Sequence, residues 1–210
     1  MLLDKESVPT LEALTLLENV VAFAYHTRNL KLTYGGEAQL SVTDGINLNA
    51  PEIHSDASWG SEVKPMMGGF VRWRNAAVSW KSTKCKMVAD SSCKSEVEGA
   101  SAMTKEGVFA RHVLIDMGIK LGGPSSLITD SKSGRDTIIN TGVTKNTIHY
   151  EMRLQYARHQ YLHNVIQVFL VTTDRCMADD KTKALQDRGK VIKCRDFQMN
   201  IDAAQSKDCG

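Results

Sequence analysis

The stretch from Ala77 to Gly118 changes its period halfway along, and that change constrains the fold more than any other feature of the chain. It opens as a strand at Ala77, Val78 and Trp80 and passes a turn bearing Lys81, Lys84 and Lys86. After the Ser91-Ser92 pair it takes up helical spacing. A serine at that point offers its side-chain oxygen to the first free N–H groups of a helix. Glu96, Ala100, Met103, Gly107, Ala110, Leu114 and Met117 then fall at alternating steps of four and three, one face of an α-helix. All but the first suit a core. Glu96 is a carboxylate at the head of an inward stripe, which is costly unless something cationic meets it there.

A chain of 210 residues with 42% apolar content holds one core of ordinary size plus an appendage. The net charge of +2 carries no argument about nucleic acid, so local clustering has to supply one. Cys85, Cys93, Cys176, Cys194 and Cys209 form no C-x-x-C pair, which disfavours a disulfide framework or structural zinc and favours a reducing compartment. The start MLLDKESVP lacks the build of a secretory leader, and no apolar run is long enough to cross a bilayer. The expectation is a soluble intracellular protein with no membrane partner.

Residues 9–28 read as a helix with one apolar row at Leu14, Leu17, Val21 and Ala24 and a second at Leu16, Val20 and Phe23, so it wants partners on two sides. A strand is expected at Leu30–Tyr34 and another at Glu52–Asp56, followed by a loop through Pro65 and Gly68-Gly69. The strand Phe70–Arg74 alternates apolar Val71 and Trp73 with Arg72 and Arg74, and a tight turn at Asn75 returns it through Ala77–Lys81 as a hairpin. Arg72, Arg74, Lys81, Lys84 and Lys86 have no acid among them, so this hairpin is a candidate for following phosphates. Charge alone does not separate that reading from an edge strand kept soluble by its lysines.

Gly122-Gly123-Pro124 end the long helix, and a short strand at Ser126–Thr129 leads to Asp130, with a helix expected after it. A helical segment at Ile148–Val165 carries His149, Arg153, Arg158, His159 and His163. The apolar strand Ile166–Thr172 follows, and a last helix is expected from about Asp174 through Asp179. Beyond Gly189 the chain reads as basic and irregular.

Four acids stand at particular places in this order of elements: Asp56 ends the first sheet strand, Glu96 heads the long helix, Asp130 ends the fourth strand, and Asp179 lies near the last helix. Brought to one sheet edge they repel, and two divalent cations turn that repulsion into a binding site. Oxygen ligands with open positions suit Mg²⁺ or Mn²⁺ rather than zinc. Two such ions ~4 Å apart clamp a phosphodiester. Taken singly, each acid reads as a turn, cap or dipole residue.

The local sequences around the acids resemble the RNase H domain of copia-type LTR retrotransposon polyproteins. That family's pattern runs roughly W-K-S-K-K-Q-x-x-V-A-x-S-S-x-E-A-E-Y-x-A, then T-K-E and a helix ending in L-G. Trp80, Lys81, Ser82, Lys84, Val88, Ala89, Ser91, Ser92, Glu96, Ala100, Thr104, Lys105, Glu106 and Gly118 match it in order, while Lys94, Val97 and Gly99 depart. SDASWG at 55–60 is similar to S-D-A-D-W-A-G and puts the family's metal-binding aspartate on Asp56. TDSKSG puts the third acid on Asp130 but lacks the following Asn, and TTDRCMADDKTKAL at 172–185 puts the fourth on Asp179. IHYEMRLQYAR is a loose match that assigns His149 and Arg153 to substrate contact.

The resemblance implies an α/β, RNase H-like fold, a mixed five-stranded sheet flanked by helices with an N-terminal helical appendage. Residues 1–36 would derive from the end of a reverse transcriptase, 48–188 would form the RNase H-like domain, and 189–210 a basic tail. The implied activity is hydrolysis of the RNA strand of an RNA–DNA hybrid by two Mg²⁺ or Mn²⁺ ions held by Asp56, Glu96, Asp130 and Asp179. Arg72, Arg74, Lys81, Lys84, Lys86, His149 and Arg153 would contact the hybrid. The implied setting is the cytoplasm, in a virus-like particle, or the nucleus, with the reverse transcriptase portion of the same polyprotein as partner. A catalytically inactive module for binding or connection is the alternative, motivated by Lys94, Val97 and Ser131 in the motif flanks. An integrase or transposase nuclease ranks below both, because there the catalytic glutamate comes last rather than second.

Overall fold

The computed structural model describes residues 10–35, 42, 44–58, 65–85, 91–140, 151–183, 185 and 187–201, with the backbone alone for 151–154. Its centre is a sheet of β1 (Glu52–Ala57), β2 (Met66–Trp73), β3 (Ala76–Lys84), β4 (Ser125–Thr129) and β5 (Ile166–Leu170), in the order β3-β2-β1-β4-β5. The first three strands are antiparallel, whereas β4 runs parallel to β1 and β5 parallel to β4. The helices are α1 (Leu11–Thr27), α2 (Ser92–Asp116), α3 (Lys132–Ile139), α4 (Glu151–Leu162) and α5 (Arg188–Met199). This is the RNase H-like arrangement of the sheet and its flanking helices that the motifs imply.

Alternation along the strands divides the core in two. Ile53, Val71, Leu127, Ile166 and Val168 pack with Val97, Ala100 and Met103 of α2, Ile138 of α3 and Ala157 of α4. Their neighbours Phe70 and Ile128 pack with Met177, Ala178, Cys194 and Phe197 on the opposite face, under α5. A one-residue slip in any strand would exchange the two sets, which is what pins the register. The β2–β3 hairpin closes on Arg74 and Asn75 at φ 50° and 71°, a turn whose twist matches its strands. At Gly107 a Cβ would meet Ile53 Cδ1 at 2.2 Å, so glycine there is what lets α2 lie close to the sheet.

The helical face read from Glu96 to Met117 is confirmed in its middle: Ala100, Met103, Gly107 and Leu114 are buried. It ends before Met117, which is 70% exposed. Ser91 caps the start by accepting from the Lys94 N–H at 3.3 Å. Several expectations need correction. Gly68 and Gly69 belong to β2 rather than to a loop. Leu30–Tyr34 is not a strand: Thr33 N–H donates to Met199 O at 3.1 Å and Gly35 N–H to Arg74 O at 2.8 Å, which strings this segment between α5 and the hairpin turn.

Arg72 is no phosphate ligand. It is 2% exposed, its Nη1 stands 3.4 Å from Glu52 Oε2, and its guanidinium lies 3.9 Å from the centre of the Phe197 ring. His54 Nε2 stands 3.5 Å from the same Glu52 oxygen, and its ring stacks on Phe70 at 4.4 Å. Burial opposes the Glu52 charge, yet His54 and Arg72 hold its pKa below the ordinary value, while burial keeps that of His54 down. Even-numbered positions of β2 point under α5, so Arg72 follows Phe70 into that core instead of facing out.

Residues 188–201 are likewise not irregular, while 202–210 of the expected tail lie outside the described residues. Asp187 accepts from the Gly189 N–H at 2.8 Å and starts α5, which buries Cys194, Phe197 and Gln198. By contrast α1, capped by Thr10, buries none of its residues. It faces α5 across a groove of about 670 Å³ lined by Phe23, His26, Val191 and Ile192, and leaves Leu11 and Val21 81% and 59% exposed. Among the described residues no helix is long and apolar enough to cross a membrane. Cys85, Cys93, Cys176 and Cys194 are all free thiols.

Phe197 is 1% exposed and carries the contact between α5 and the sheet, so Phe197→Ala should cost ~3–5 kcal/mol in urea unfolding. A variant as stable as the parent would mean that α5 does not dock.

Candidate metal centre at the sheet edge

The parallel register of β1 and β4 makes the centre. Glu52, Ile53 and His54 pair with Ser126, Leu127 and Ile128, and the same register carried two residues on sets Asp130 level with Asp56. Both acids therefore stand at the carboxyl edge of neighbouring strands, where side-chain direction follows from the pleat. Asp179 arrives from a short 3₁₀ turn, Asp179–Lys181, rather than from the α-helix expected there. Ligand atoms of Asp56, Asp130, Asp179 and Cys176 all lie within 4.8 Å of one another. Asp56 and Asp179 are each 2% exposed.

Glu96 comes in from the first turns of α2, outside that tightest group. Its carboxyl pKa is pushed up to about 8, first by burial and then by the charges of Asp56 and Asp130, against the pull of Lys183 and the backbone of Ala57. The cation that a buried Glu96 called for is thus present, but it is outweighed. A side chain at Gly134, in the first turn of α3, would meet Glu96 Cβ at 3.3 Å, so α3 bounds the centre on this side.

Lysines from the turn and from α5 compensate the other acids. Lys183 Nζ lies 3.3 Å from Asp56 Oδ2 and 2.9 Å from Asp179 Oδ1, and Lys190 Nζ donates to Asp179 Oδ2. The Thr182 hydroxyl donates to Asp56 Oδ2. Burial raises the pKa of Asp56 against Thr182 and Lys183, whereas at Asp179 the two lysines overcome burial and lower it. Burial also works against the Lys183 charge, but Asp56 and Asp179 hold its pKa above the ordinary ammonium value. Among the described residues Asp130 has no ion-pair partner.

The turn is clamped from two sides. Gln198 Nε2 donates to Met177 O and to the Asp180 carboxylate at 3.1 Å, Lys181 Nζ reaches Gln198 Oε1 at 2.7 Å, and the Ser82 hydroxyl donates to Lys181 O at 2.6 Å. Asp180 therefore faces α5 while Asp179 faces the other acids. Gly68 permits the approach, because a Cβ there would meet Lys181 Cβ at 2.9 Å. Sequence reasoning missed Cys176, Thr182, Lys183, Lys190 and Gln198. Thr182 and Lys183 stood in the motif already quoted for Asp179. Lys190 and Gln198 gave no signal once their helix had been read as irregular.

The basic stretch does not make one phosphate-following face. With Arg72 inside, Arg74 is exposed at the hairpin turn and Lys84 at the far end of β3, roughly 30 Å along the strand. Lys81, half-buried, lies 3.0 Å from Glu106 of α2. Lys86 and His149 lie outside the described residues, and of Arg153 only the backbone, in α4, is described.

Asp56, Asp130 and Asp179 are hard oxygen donors meeting at one point, with Glu96 close enough to feel the charges of Asp56 and Asp130, a set that fits a divalent cation such as Mg²⁺ or Mn²⁺, with Cys176 as a softer neighbour. Because Glu96 titrates near 8 when folded and near 4.5 otherwise, its share of the stability is whole below pH 4.5 and is lost as pH rises through 8. Glu96→Gln stays neutral throughout, so in chelator the variant should gain on the parent between pH 5 and pH 9, by on the order of 5 °C in Tm. A difference in Tm that does not change with pH would place Glu96 in solvent.

No family model matches the chain. It is 24% identical over 181 residues to the retrovirus-related Pol polyprotein from transposon RE1 of Arabidopsis thaliana, covering 85% of this chain and 12% of that protein. It is 25% identical over 135 residues to the corresponding polyprotein from transposon RE2, covering 63% of this chain and 9% of that one. The chain thus spans about a tenth of the length of these relatives. Among solved structures it is similar to the N-terminal RNase H domain of a Mycobacterium tuberculosis protein (14% identity, 63% of this chain, 90% of that chain, TM-score 0.47). RNase H1 of the archaeon Halobacterium salinarum is another (13% identity, 63% and 92%, TM-score 0.42). As the motifs led one to expect, the chain is similar to part of the retrovirus-related Pol polyproteins of these transposons.

Proposed function

We propose that this chain is a ribonuclease H of a retroelement, hydrolysing the RNA strand of an RNA–DNA hybrid at the carboxyl edge of β1 and β4. The observation that carries the reading is the meeting of Asp56, Asp130 and Asp179 within 4.8 Å, with Glu96 held against the first two. Asp56, Glu96, Asp130 and Asp179 would hold two Mg²⁺ or Mn²⁺ ions. Such ions, when bound, supply the activated water and stabilise the departing 3′-oxygen.

The chain's own residues set the geometry. Thr182 fixes the Asp56 carboxylate, Gln198 and Ser82 fix the turn, and α3 bounds the space beside Glu96. Arg74, Lys84, Lys86, His149 and Arg153 remain candidates for backbone contacts along a hybrid, with 2′-hydroxyls of one strand read near the acids. In domain terms, α1 and the linker after it would be the reverse transcriptase's last part and its apolar outer rows the contact with the rest of that enzyme. The hydrolase unit would run to Ile201 rather than stop at 188.

One observation favours the non-catalytic alternative: Lys183 and Lys190 already satisfy both oxygens of Asp179. A labelled hybrid with Mg²⁺ or Mn²⁺ separates the two readings. The parent chain should cut the RNA strand and leave double-stranded DNA intact. Asp130→Asn should lose at least about a hundredfold in rate, as expected for several kcal/mol of lost charge stabilisation. Cleavage that survives this substitution would refute the site. A parent chain inert with either metal would leave the binding or connection module.

A further inference from the structure

Resting on the metal-site reading, we infer that Lys183 is a resident cation of the acid cluster, occupying one of the two positions a pair of divalent ions would take, so that one ion binds freely and the second must displace an ammonium.

The argument starts from which oxygens are engaged. Lys183 Nζ bridges the two buried acids, at 3.3 Å from Asp56 Oδ2 and 2.9 Å from Asp179 Oδ1, a placement that a divalent ion shared by those carboxylates would need. Lys190 takes the other oxygen of Asp179. A carboxylate lone pair directed at an ammonium is not free to ligate, and an ion beside that ammonium meets like charge at a few ångströms. On the other side of Asp56 the situation is reversed. Asp130 has no ion-pair partner among the described residues, and at Glu96 the charges of Asp56 and Asp130 outweigh that of Lys183. The cluster is thus asymmetric: open between Asp56, Glu96 and Asp130, and internally neutralised between Asp56 and Asp179.

Lys183 is held in place without help from a ligand. Its residue follows Thr182, whose hydroxyl is spent on Asp56, and its own backbone N–H donates to Asp179 O at 2.9 Å. The turn below is clamped by Gln198 and Ser82. Its side chain is 42% exposed, so it has room to swing out when a second ion arrives. Lys183 is therefore a positioning and competing residue, not one that touches the scissile phosphate.

Mn²⁺ titration of the full chain, freed of metal with chelator and followed by electron paramagnetic resonance of free Mn²⁺, tests this directly. The parent should take up one ion tightly and a second only weakly. Lys183→Met should take up two, with the weak site tightened roughly tenfold or more. Lys183→Arg, which keeps the charge, should behave as the parent, and circular dichroism melts of all three check that the fold is kept. If Lys183→Met binds with the parent's number and affinities, or more weakly, the inference is wrong while the metal centre stands. If Lys183→Met melts early, the arginine variant decides: two tight sites there overturn the inference, and one supports it. Uptake of no Mn²⁺ by any of the three would overturn the metal centre itself.

Discussion

Mutual repulsion among Asp56, Asp130 and Asp179 is the constraint the rest of the structure answers to. Parallel pairing of β1 with β4 forces the first two side by side, and the short turn after β5 adds the third. Buried like charges at this spacing are unfavourable in any folded chain. This one offsets them in three ways: a proton retained on Glu96, a hydroxyl from Thr182, and two lysines on the side of the turn. The lysines stand on one flank only, which leaves the other flank receptive to a cation.

That solution depends on packing far from the acids. Phe197 on α5 lies against Arg72 and His54, which share Glu52, so the face of the sheet beneath the helix contains a buried ion pair, Glu52 with Arg72, flanked by an imidazole. Replacing Glu52 would strand the buried Arg72 without its partner, the circumstance in which buried ion pairs matter most. The same helix carries Lys190 and Gln198 to the turn. Core and centre are therefore joined through a single element.

Much of this was legible in the residues. The change of period at Ser91, the hairpin at Asn75, and Asp56, Glu96 and Asp130 at strand and helix boundaries each have a local physical cause, and each is where the pattern puts it. What could not be read is instructive. Arg72 looked like one of a basic row because alternation distinguishes two faces without saying that both are covered. Once α5 lies on the second face, the arginine is interior. The helix itself escaped notice because RGKVIKCRDFQM is largely polar and its buried face, Cys194, Phe197 and Gln198, is short and includes a polar side chain. Asp179 was placed in a regular helix since ADDKTKAL has helical composition, while tertiary bonds from Ser82 and Gln198 hold it in a tighter turn. Contacts made across 99 or 17 positions of chain leave no trace in a local window.

Gly68 has a consequence of another kind. Its missing side chain leaves a notch in β2 into which Lys181 seats, and Ser82 on the next strand fastens the same peptide. Drift at this glycine would therefore act on strand pairing and on the turn together: even alanine would crowd Lys81 O at 2.6 Å and Lys181 Cβ at 2.9 Å, and so loosen the seat of Asp179. A change there would reach the centre while every acid remained in place.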